Sequence, residues 1–187
     1  FYQTALNLQP TFINAQTNLA ILLLSQGRFK EGWKYYESRY HPDKEDRKTF
    51  PPDFNVPKWC EEDLSHKTLL IWPEQGIGDE VMFASCLTDL QNHQGEIFIA
   101  CDSRLQSIFQ RSFPFLNIIE KDPSNQYQAL ENTLDFHCAL GSLPHIFRND
   151  SQCFSSFPDD YLKVNSDLLT KWKERYFQLE HSFSIGI

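Results

Sequence analysis

The sequence predicts an α/β protein in which a Rossmann-like, mostly parallel sheet follows an α-helical hairpin. Short apolar stretches alternate with helical segments from residue 67 to about residue 180, and this alternation is typical of mostly parallel, doubly wound sheets, which carry helices on both faces. Before residue 41, apolar residues recur three and four positions apart, as they do along helices. Phe1-Tyr2 returns as Tyr35-Tyr36, a displacement of 34 residues that predicts a repeated helical unit.

Two helices joined by a glycine turn are predicted near the amino terminus. Pro10 breaks a short helix at Phe1–Leu8, because proline cannot continue a helix. An apolar face then marks a helix at Phe12–Gln26, which Gly27 ends as a C′ glycine. Aromatic residues spaced by three and four mark the next helix at Phe29–Tyr40.

The 34-residue period is that of the tetratricopeptide repeat. Ala5 and Pro10 stand at the repeat's closing positions, whereas Gly32 stands where alanine is usual, and Arg39 and Lys44 replace the closing Ala and Pro. Only about one and a half repeats are present, and a solenoid needs about three to bury a continuous core. We therefore expect further repeats before residue 1 or packing of these helices on the next domain. An unrelated helical hairpin remains the alternative.

The chain divides into four predicted segments. Trp59 and Leu64 are expected to dock a proline-rich, charged linker on the domain that follows. The segments are tetratricopeptide-type helices at 1–41, the linker at 42–66, the Rossmann-like domain at 67–182, and the first strand of a further domain at 183–187.

The central motif runs from Lys67 to Leu90 and predicts a strand, a glycine loop and a helix. Leu69–Trp72 is an apolar strand that Pro73 ends. In a βαβ unit the loop after the strand lies at the carboxyl end of the sheet, where ligands bind. The loop lacks the third glycine of a dinucleotide fingerprint and the Gly-Lys-Ser/Thr of a Walker A motif. It reads Glu74, Gln75, Gly76, Ile77, Gly78, Asp79.

Two interpretations of this loop stay open on pattern alone. In the structural one, Gly76 and Gly78 make a turn and Asp79 is the N-cap of the helix that follows. In the functional one, the glycines let a ligand approach the backbone, and Asp79 faces that ligand.

Further candidates lie along the next strands. Asp135 and His137 alternate along a strand predicted at Leu134–Leu140, and Ser142 follows it. Asp135 either reaches the cleft edge or is a surface acid. His137 either reaches the cleft edge or is a strand histidine with its hydrogen bonds satisfied. Asp102 is predicted to cap a helix rather than to bind a ribose.

Composition restricts the partners and the chemistry. A net charge of −8 argues against nucleic acid or an anionic membrane as the main partner. The longest apolar run, Leu19–Leu24, is too short for a membrane span. Five cysteines without a C-x-x-C pair indicate a reducing cytoplasm. The histidines show no ligand spacing, so we expect no metal.

Several stretches resemble one protein family. GRFKEGWKYYESRY resembles the last repeat of bacterial tetratricopeptide proteins fused to a glycosyltransferase-like domain. KTLLIWPEQGIGDEVMFASCL resembles the E-Q-G-x-G-D stretch that opens that domain, and LDFHCALGSLPHIF resembles its D-x-H-C-x-L-x-S-L-P stretch. PDDYL and SIGI match later segments. The domain is similar to glycosyltransferase family 9, the ADP-heptose:lipopolysaccharide heptosyltransferases of two-domain GT-B fold.

The resemblance implies transfer of a sugar from a nucleotide-sugar donor to a glycan, lipid or protein acceptor, with inversion and without metal or cofactor. This chain would carry mainly the acceptor-side half. Asp79 falls on the position of the proposed general base, which removes the acceptor hydroxyl proton. The loop residues before Asp79, together with Asp135, His137 and Ser142, would contact substrate. The chain departs from the family at His93-Gln94-Gly95, at Ala139-Leu140-Gly141 and in lacking the C-terminal half.

Two other functions remain open. The first is a protein-interaction module, in which the repeats bind a protein partner and the transferase-like domain is inactive. The second is another nucleotide-dependent enzyme on a Rossmann sheet, which the absence of both phosphate-loop motifs disfavours.

Overall fold

A computed structural model describes residues 1–41, 44, 52, 54–122, 127, 130, 132–154 and 160–178. The helices in these ranges are α1 (Tyr2–Leu8), α2 (Ile13–Ser25), α3 (Phe29–Tyr36), α4 (Ile77–Ala84), α5 (Ser103–Ser112), α6 (Leu143–Phe147) and α7 (Ser166–Phe177). The strands are β1 (Thr68–Trp72), β2 (Glu96–Cys101), β3 (Asn117–Glu120) and β4 (Phe136–Ala139). Short 3₁₀ helices span Glu37–Tyr40, Ser85–Asn92, Leu140–Ser142 and Ser151–Phe154.

The predicted helical hairpin is present, and its turn has the expected glycine. It consists of α2, α3 and the 3₁₀ helix Glu37–Tyr40, because the helix predicted at Phe29–Tyr40 is α-helical only to Tyr36 and continues as 3₁₀ helix. Gly27 has a φ of +73°, in the left-handed region that glycine adopts without strain. The N–H of Arg28 donates to the carbonyl of Leu23 at 2.9 Å, and that of Gly27 to Leu24 at 3.0 Å. This pair of bonds is the Schellman motif, which satisfies carbonyls at the end of a helix.

The departure from the repeat consensus at Gly32 has a packing reason. A Cβ atom at this position would lie 2.7 Å from the Cγ and Cδ2 atoms of Leu24. Helices α2 and α3 therefore approach more closely than an alanine would allow.

The sheet is parallel throughout, as predicted, and its strand order is β3-β2-β1-β4. In the central strand, Ile71 lies in register with Ile99 of β2 and with Cys138 of β4. All three side chains are fully buried. The continuous apolar run of β1 is explained by burial on both of its faces.

The two faces of the sheet are covered differently. Helices α4, α5 and α6 pack on the face that carries Leu69, Ile71 and Ile99. The face that carries Leu70 and Trp72 is covered by Phe54, Val56, Tyr127 and other residues outside helices. The alternation of strands and helices predicted a doubly wound sheet. The described α-helices that pack on the sheet instead cover one face. Residues outside helices, together with Tyr40 of the 3₁₀ helix Glu37–Tyr40, supply the apolar cover of the other.

The helical hairpin packs on the sheet domain, which was one of the two expected outcomes. The indole nitrogen of Trp33 donates to the carbonyl of Arg148 at 3.0 Å. Tyr36 contacts Phe83 of α4, with 6.4 Å between ring centroids, and Tyr40 contacts Trp72 at 5.8 Å. The end of the hairpin therefore lies across the carboxyl end of β1, with one tyrosine on each side of the sheet.

The end of the predicted linker is built into the domain. Trp59 and Leu64 are 1% exposed and belong to the main core, as expected. Lys58 forms a parallel bridge with His137, so this part of the segment extends the sheet beyond β4. The start of a further domain predicted at 183–187 lies outside the described residues.

Local signals predicted the remaining elements with small shifts at their ends. Asp102 caps α5, accepting a hydrogen bond from the N–H of Arg104 at 3.1 Å, as predicted. Helix α7 begins after Asn165, whose side chain accepts from the N–H of Leu168 at 2.9 Å. Residues 160–164, which precede this helix, are irregular. Three of the cysteines, Cys86, Cys101 and Cys138, are buried as free thiols.

Candidate functional site

The glycine loop leads from β1 into α4 at the carboxyl end of the sheet. Helix α4 begins at Ile77, so Gly76 is its N-cap and Asp79 is its third residue. The prediction that Asp79 is the N-cap is therefore wrong by three residues, because the glycine pair belongs to the helix start rather than to a preceding turn. Asp79 still caps: its Oδ2 accepts a hydrogen bond from the N–H of Gly76 at 3.2 Å. Its Oδ1 takes no hydrogen bond from any described residue.

No steric contact within the described chain requires glycine at either of the two glycine positions of the loop. Gly76 has a φ of −82°, which any residue can adopt. A Cβ at Gly78 would meet no described atom within 4 Å, although glycine weakens a helix by about 1 kcal/mol relative to alanine. Ile77 between them packs against the core. The surface of the loop beside Asp79 is therefore bare backbone, open to another molecule or chain segment.

Glu74 does not face open space. Its Oε1 accepts a hydrogen bond from Nε of Arg39 at 2.7 Å, and its Oε2 accepts from the N–H of Gly141 at 2.6 Å. The side chain is 4% exposed. A Cβ on Gly141 would lie 2.6 Å from Oε2, so Glu74 leaves no space for a larger residue at this position. The predicted substrate ligand is thus engaged in an internal ion pair.

Ser142, another predicted substrate residue, belongs to the same network. Its Oγ accepts from Nη2 of Arg39 at 2.9 Å and donates to Oε1 of Glu37 at 2.9 Å. Burial alone would raise the pKa of Glu37, but the charges of Arg39 and Lys58 outweigh it, and the pKa is lowered. Ser142 is 2% exposed. Its hydroxyl therefore joins the hairpin to the sheet and is not available to a ligand.

Arg39 is the centre of this network. Its guanidinium lies between the rings of Tyr36 and Tyr40, at 4.3 Å and 4.0 Å from their centroids, and its side chain is 7% exposed. Two carboxylates, from Glu37 and Glu74, neutralise it. The attraction within such a buried pair offsets its desolvation cost only when, as here, the remaining donors are also bonded.

The contribution of the hairpin to the site was missed from the sequence. The available signal was the position of Arg39, which replaces the closing alanine of the repeat. A buried arginine in place of a small residue indicates a buried acid elsewhere. Glu74 is 35 residues away and Ser142 is 103 residues away along the chain, so the pattern alone could not identify them.

Tyr36 lies beside the loop that carries Asp79. The side-chain amide of Gln75 donates to its hydroxyl oxygen at 3.4 Å. Burial, the largest effect, raises the pKa of Tyr36, and the Glu74 and Asp79 carboxylates raise it further against the opposing charge of Arg39. The hydroxyl is therefore protonated at neutral pH. No described residue accepts its proton.

A second buried acid missed from the sequence stands at the same edge of the sheet. Glu80 of α4 is 1% exposed. It accepts from the N–H of Asp102 at 2.7 Å and from Nζ of Lys121 at 3.2 Å. These contacts join the residues that follow β2 and β3 to α4.

Asp135 and His137 are not part of this arrangement. Asp135 precedes β4 and lies at the amino end of the parallel sheet, where it pairs with Lys67 at 2.8 Å and accepts from the N–H of Thr68 at 2.9 Å. The expectation that it reaches the cleft edge is wrong, because the strand begins one residue after it. Its pKa is lowered by Lys67 and by the Thr68 amide.

His137 is a strand histidine, the structural alternative. Its Nδ1 accepts from the indole N–H of Trp72 at 3.2 Å, and its ring lies 5.1 Å from that of Phe54. Burial, with a smaller effect of the Lys58 charge, lowers its pKa to about 4. It is a neutral imidazole within the apolar cover of the sheet.

The cleft beside Asp79 is small. It has a volume of about 10 Å³ between the loop, Glu80, Phe83 and Gly141, which is room for about one water molecule. Within the described ranges, no three His, Cys, Asp or Glu side chains are grouped as a metal site requires. None of the helices in those ranges has the length and apolar character that crossing a bilayer requires.

Comparison with known proteins gives one informative similarity. The chain is 41% identical over 182 residues to protein FlbA of Caulobacter vibrioides. The match covers 90% of this chain and 30% of that protein, so the chain spans less than a third of its relative. No protein-family model and no solved structure matches the chain.

Proposed function

We propose that the chain is the acceptor-side part of a glycosyltransferase of GT-B type, in which Asp79 is the general base. The observation that carries this proposal is the position of Asp79. It is a half-buried carboxylate on the loop after the central strand, with Oδ1 unbonded among the described residues and with bare backbone at Gly78 beside it. A base for an acceptor hydroxyl needs such an oxygen within reach of the cleft.

The chemistry is a single displacement. Asp79 takes the proton of an acceptor hydroxyl while that oxygen forms a bond to the anomeric carbon of the sugar. The bond from that carbon to the diphosphate oxygen breaks, and the nucleoside diphosphate leaves with the electron pair. The resemblance to family 9 supports the donor class. The 34-residue period supports the tetratricopeptide nature of the hairpin, and the cysteine usage supports a cytoplasmic location; each is part of the proposal.

The test replaces Asp79 by asparagine in the full-length protein. Asparagine keeps an oxygen for the N–H of Gly76 but cannot take a proton, so we expect turnover to fall about 100-fold or more with unchanged folding. Turnover is measured as release of ADP or UDP from nucleotide sugars in the presence of candidate acceptors. Asp102→Asn is the matched control, because it also replaces a helix-capping carboxylate at this edge. If turnover falls by less than about threefold, which is far less than the loss of a general base causes, Asp79 acts only as a helix cap.

A second candidate function is a protein-interaction module with an inactive transferase-like domain. Two observations favour it. Phe12, Ile21 and Leu22 are 43%, 58% and 42% exposed on the hairpin, and a groove of about 400 Å³ between α3 and α6 is lined by Lys30, Lys34 and Lys58 among other residues. Full-length protein that releases no nucleotide from any donor, yet binds a protein partner through the hairpin, would decide for this function.

A further inference from the structure

The strand order defines where a ligand crevice should lie in this sheet. From β1 the chain proceeds to β2 and β3 on one side, whereas β4 lies on the other. The carboxyl ends of β1 and β4 therefore flank the topological switch point, where open α/β sheets bind their ligands. Glu74 follows β1 and Ser142 follows β4, so both stand at this crevice.

The crevice is filled by the chain itself. The guanidinium of Arg39 reaches from the hairpin to Glu74 on one side and to Ser142 on the other, at 2.7 Å and 2.9 Å. Its Nη1 donates to the carbonyl of Tyr36 at 3.0 Å, and its Nη2 to the hydroxyl of Tyr40 at 2.5 Å. A ligand bound in the crevice would need the hydrogen-bonding groups that Arg39 already occupies. The space left for a ligand therefore begins beyond Glu74, on the side of Asp79.

We propose that Arg39 is a positioning residue of the ligand site and that Tyr36 is the hairpin's own contact with the ligand. Arg39 fixes Glu74, the first residue of the loop, and thereby fixes the loop that carries Gly78 and Asp79. The ion pair and the bond from Gly141 hold Glu74 from two sides. The helical hairpin is then one wall of the site. The role of Arg39 stands by itself, whereas the contact by Tyr36 rests on the proposed function.

The groups at this wall select a class of ligand. Tyr36 offers an O–H donor, Gln75 an exposed amide and Asp79 a carboxylate oxygen. Among the described residues at this wall, carboxylates outnumber the cations that are not already paired, because Arg39 is engaged by Glu74 and Glu37, and Lys121 pairs with Glu80. An anion would be repelled by these carboxylates. The wall therefore suits a neutral, hydroxyl-rich ligand such as a carbohydrate, which both donates and accepts hydrogen bonds.

The positioning role is tested without substrate, by amide hydrogen exchange in the full-length protein. In Arg39→Ala we expect the amides of residues 74–80 and of Gly141 to lose protection by at least about tenfold, since one partner of a buried pair is gone. Ethylguanidinium, which matches the deleted atoms, should restore protection. Ethylammonium has the same charge without the planar fork and should not. Arg28→Ala, which breaks an exposed pair with Glu31 in the same hairpin, is the control.

Unchanged exchange of the loop in Arg39→Ala would overturn the positioning role, and so would equal rescue by both cations. If Arg39→Ala does not fold, Arg39→Lys replaces it. Lysine keeps the charge but cannot bridge Glu74 and Ser142 at once, so protection of the loop should fall while that of β1 is kept. Loss of protection that is uniform over the sheet would show a role in stability alone.

Tyr36→Phe tests the contact. The variant keeps the ring against Arg39 and Phe83 and removes only the hydroxyl. We expect loop exchange to stay at the wild-type value and the KM for a neutral glycan acceptor to rise about three- to tenfold, the scale of one hydrogen bond. An unchanged KM would overturn the contact. Absence of transfer by the wild-type protein would remove the proposed function and this contact with it, while the exchange data would still decide the role of Arg39.

Discussion

Replacement of Gly141 by alanine should destabilise the protein, and the structure gives the size of the effect. The added Cβ would lie 2.6 Å from Oε2 of Glu74 and 3.1 Å from Cε2 of Phe83. Glu74 cannot move away freely, because two nitrogens of Arg39 bind its carboxylate at 2.7 Å and 3.1 Å. Either the carboxylate or the backbone of residue 141 must shift.

Two costs contribute. Overpacking a filled site costs about 1–3 kcal/mol. The N–H of Gly141 donates to the carboxylate at 2.6 Å, and a hydrogen bond to a charged group is worth about 1.5–3 kcal/mol. A partial shift of the backbone or the carboxylate relieves the overpacking but weakens the hydrogen bond, so the two costs do not add in full. We expect a loss of about 3 kcal/mol in the free energy of unfolding.

Gly78→Ala is the matched control, because it makes the same change where no described atom lies within 4 Å. Alanine stabilises a helical position by about 0.5–1 kcal/mol relative to glycine. Equilibrium unfolding in urea of both variants should therefore give shifts of opposite sign. A loss below about 1 kcal/mol for Gly141→Ala, outside the range expected for overpacking, would refute the tight approach of Glu74.

A double variant identifies the cause of the loss. In the Glu74→Ala background the clash is absent, so Gly141→Ala should cost less than about 1 kcal/mol, and the two changes should be non-additive. Additive costs would place the strain at Phe83 rather than at the carboxylate.

Two further predictions concern pH and binding. His137 has a folded-state pKa of about 4, below the value of about 6.5 for an unfolded histidine. The stability that depends on a neutral His137 is therefore complete above pH 6.5, and up to roughly 3 kcal/mol of the free energy of unfolding is lost as the pH falls from 6.5 towards 4. In His137→Gln, the loss of stability between pH 7.5 and 4.5, measured by urea unfolding, should be smaller than in the wild-type protein. An equal loss in both proteins would contradict the assignment. Calorimetric titration of the 187-residue chain should show ADP and UDP sugars binding no tighter than about millimolar, because the resemblance assigns most donor contacts to the other half of a GT-B enzyme; micromolar affinity would reverse that division.

Features set by neighbouring residues could be predicted from the sequence. Gly27 at the hairpin turn, Asp102 as a helix cap and the apolar run of β1 each depend on interactions within a few positions of the chain. The parallel sheet followed from the alternation of such elements. The ends of elements shifted by one to four residues, and at Asp79 that shift changed the residue's place in the helix from the N-cap to the third position.

Features set by distant contacts could not be predicted in the same way. Asp135 and His137 lie close together in sequence and were considered as a pair, but their environments differ. Asp135 lies one residue before β4, at the amino edge of the sheet, whereas His137 is the second residue of β4 and lies within the apolar cover of the sheet. Glu74 and Ser142 were identified as special, yet their partner is an arginine of the hairpin that no spacing rule connects to them.

These contacts bear on which part of the chain forms the functional unit. The hairpin supplies Arg39 to the switch point of the sheet and Tyr36 to the rim beside Asp79, and its Trp33 bonds the carbonyl of Arg148. A sheet domain without the hairpin would lack the guanidinium that holds the carboxylate of Glu74. We therefore expect such a domain to lose the conformation of the loop before it loses the sheet. The candidate site is therefore formed by hairpin and sheet together, and Arg39 is the residue that joins them.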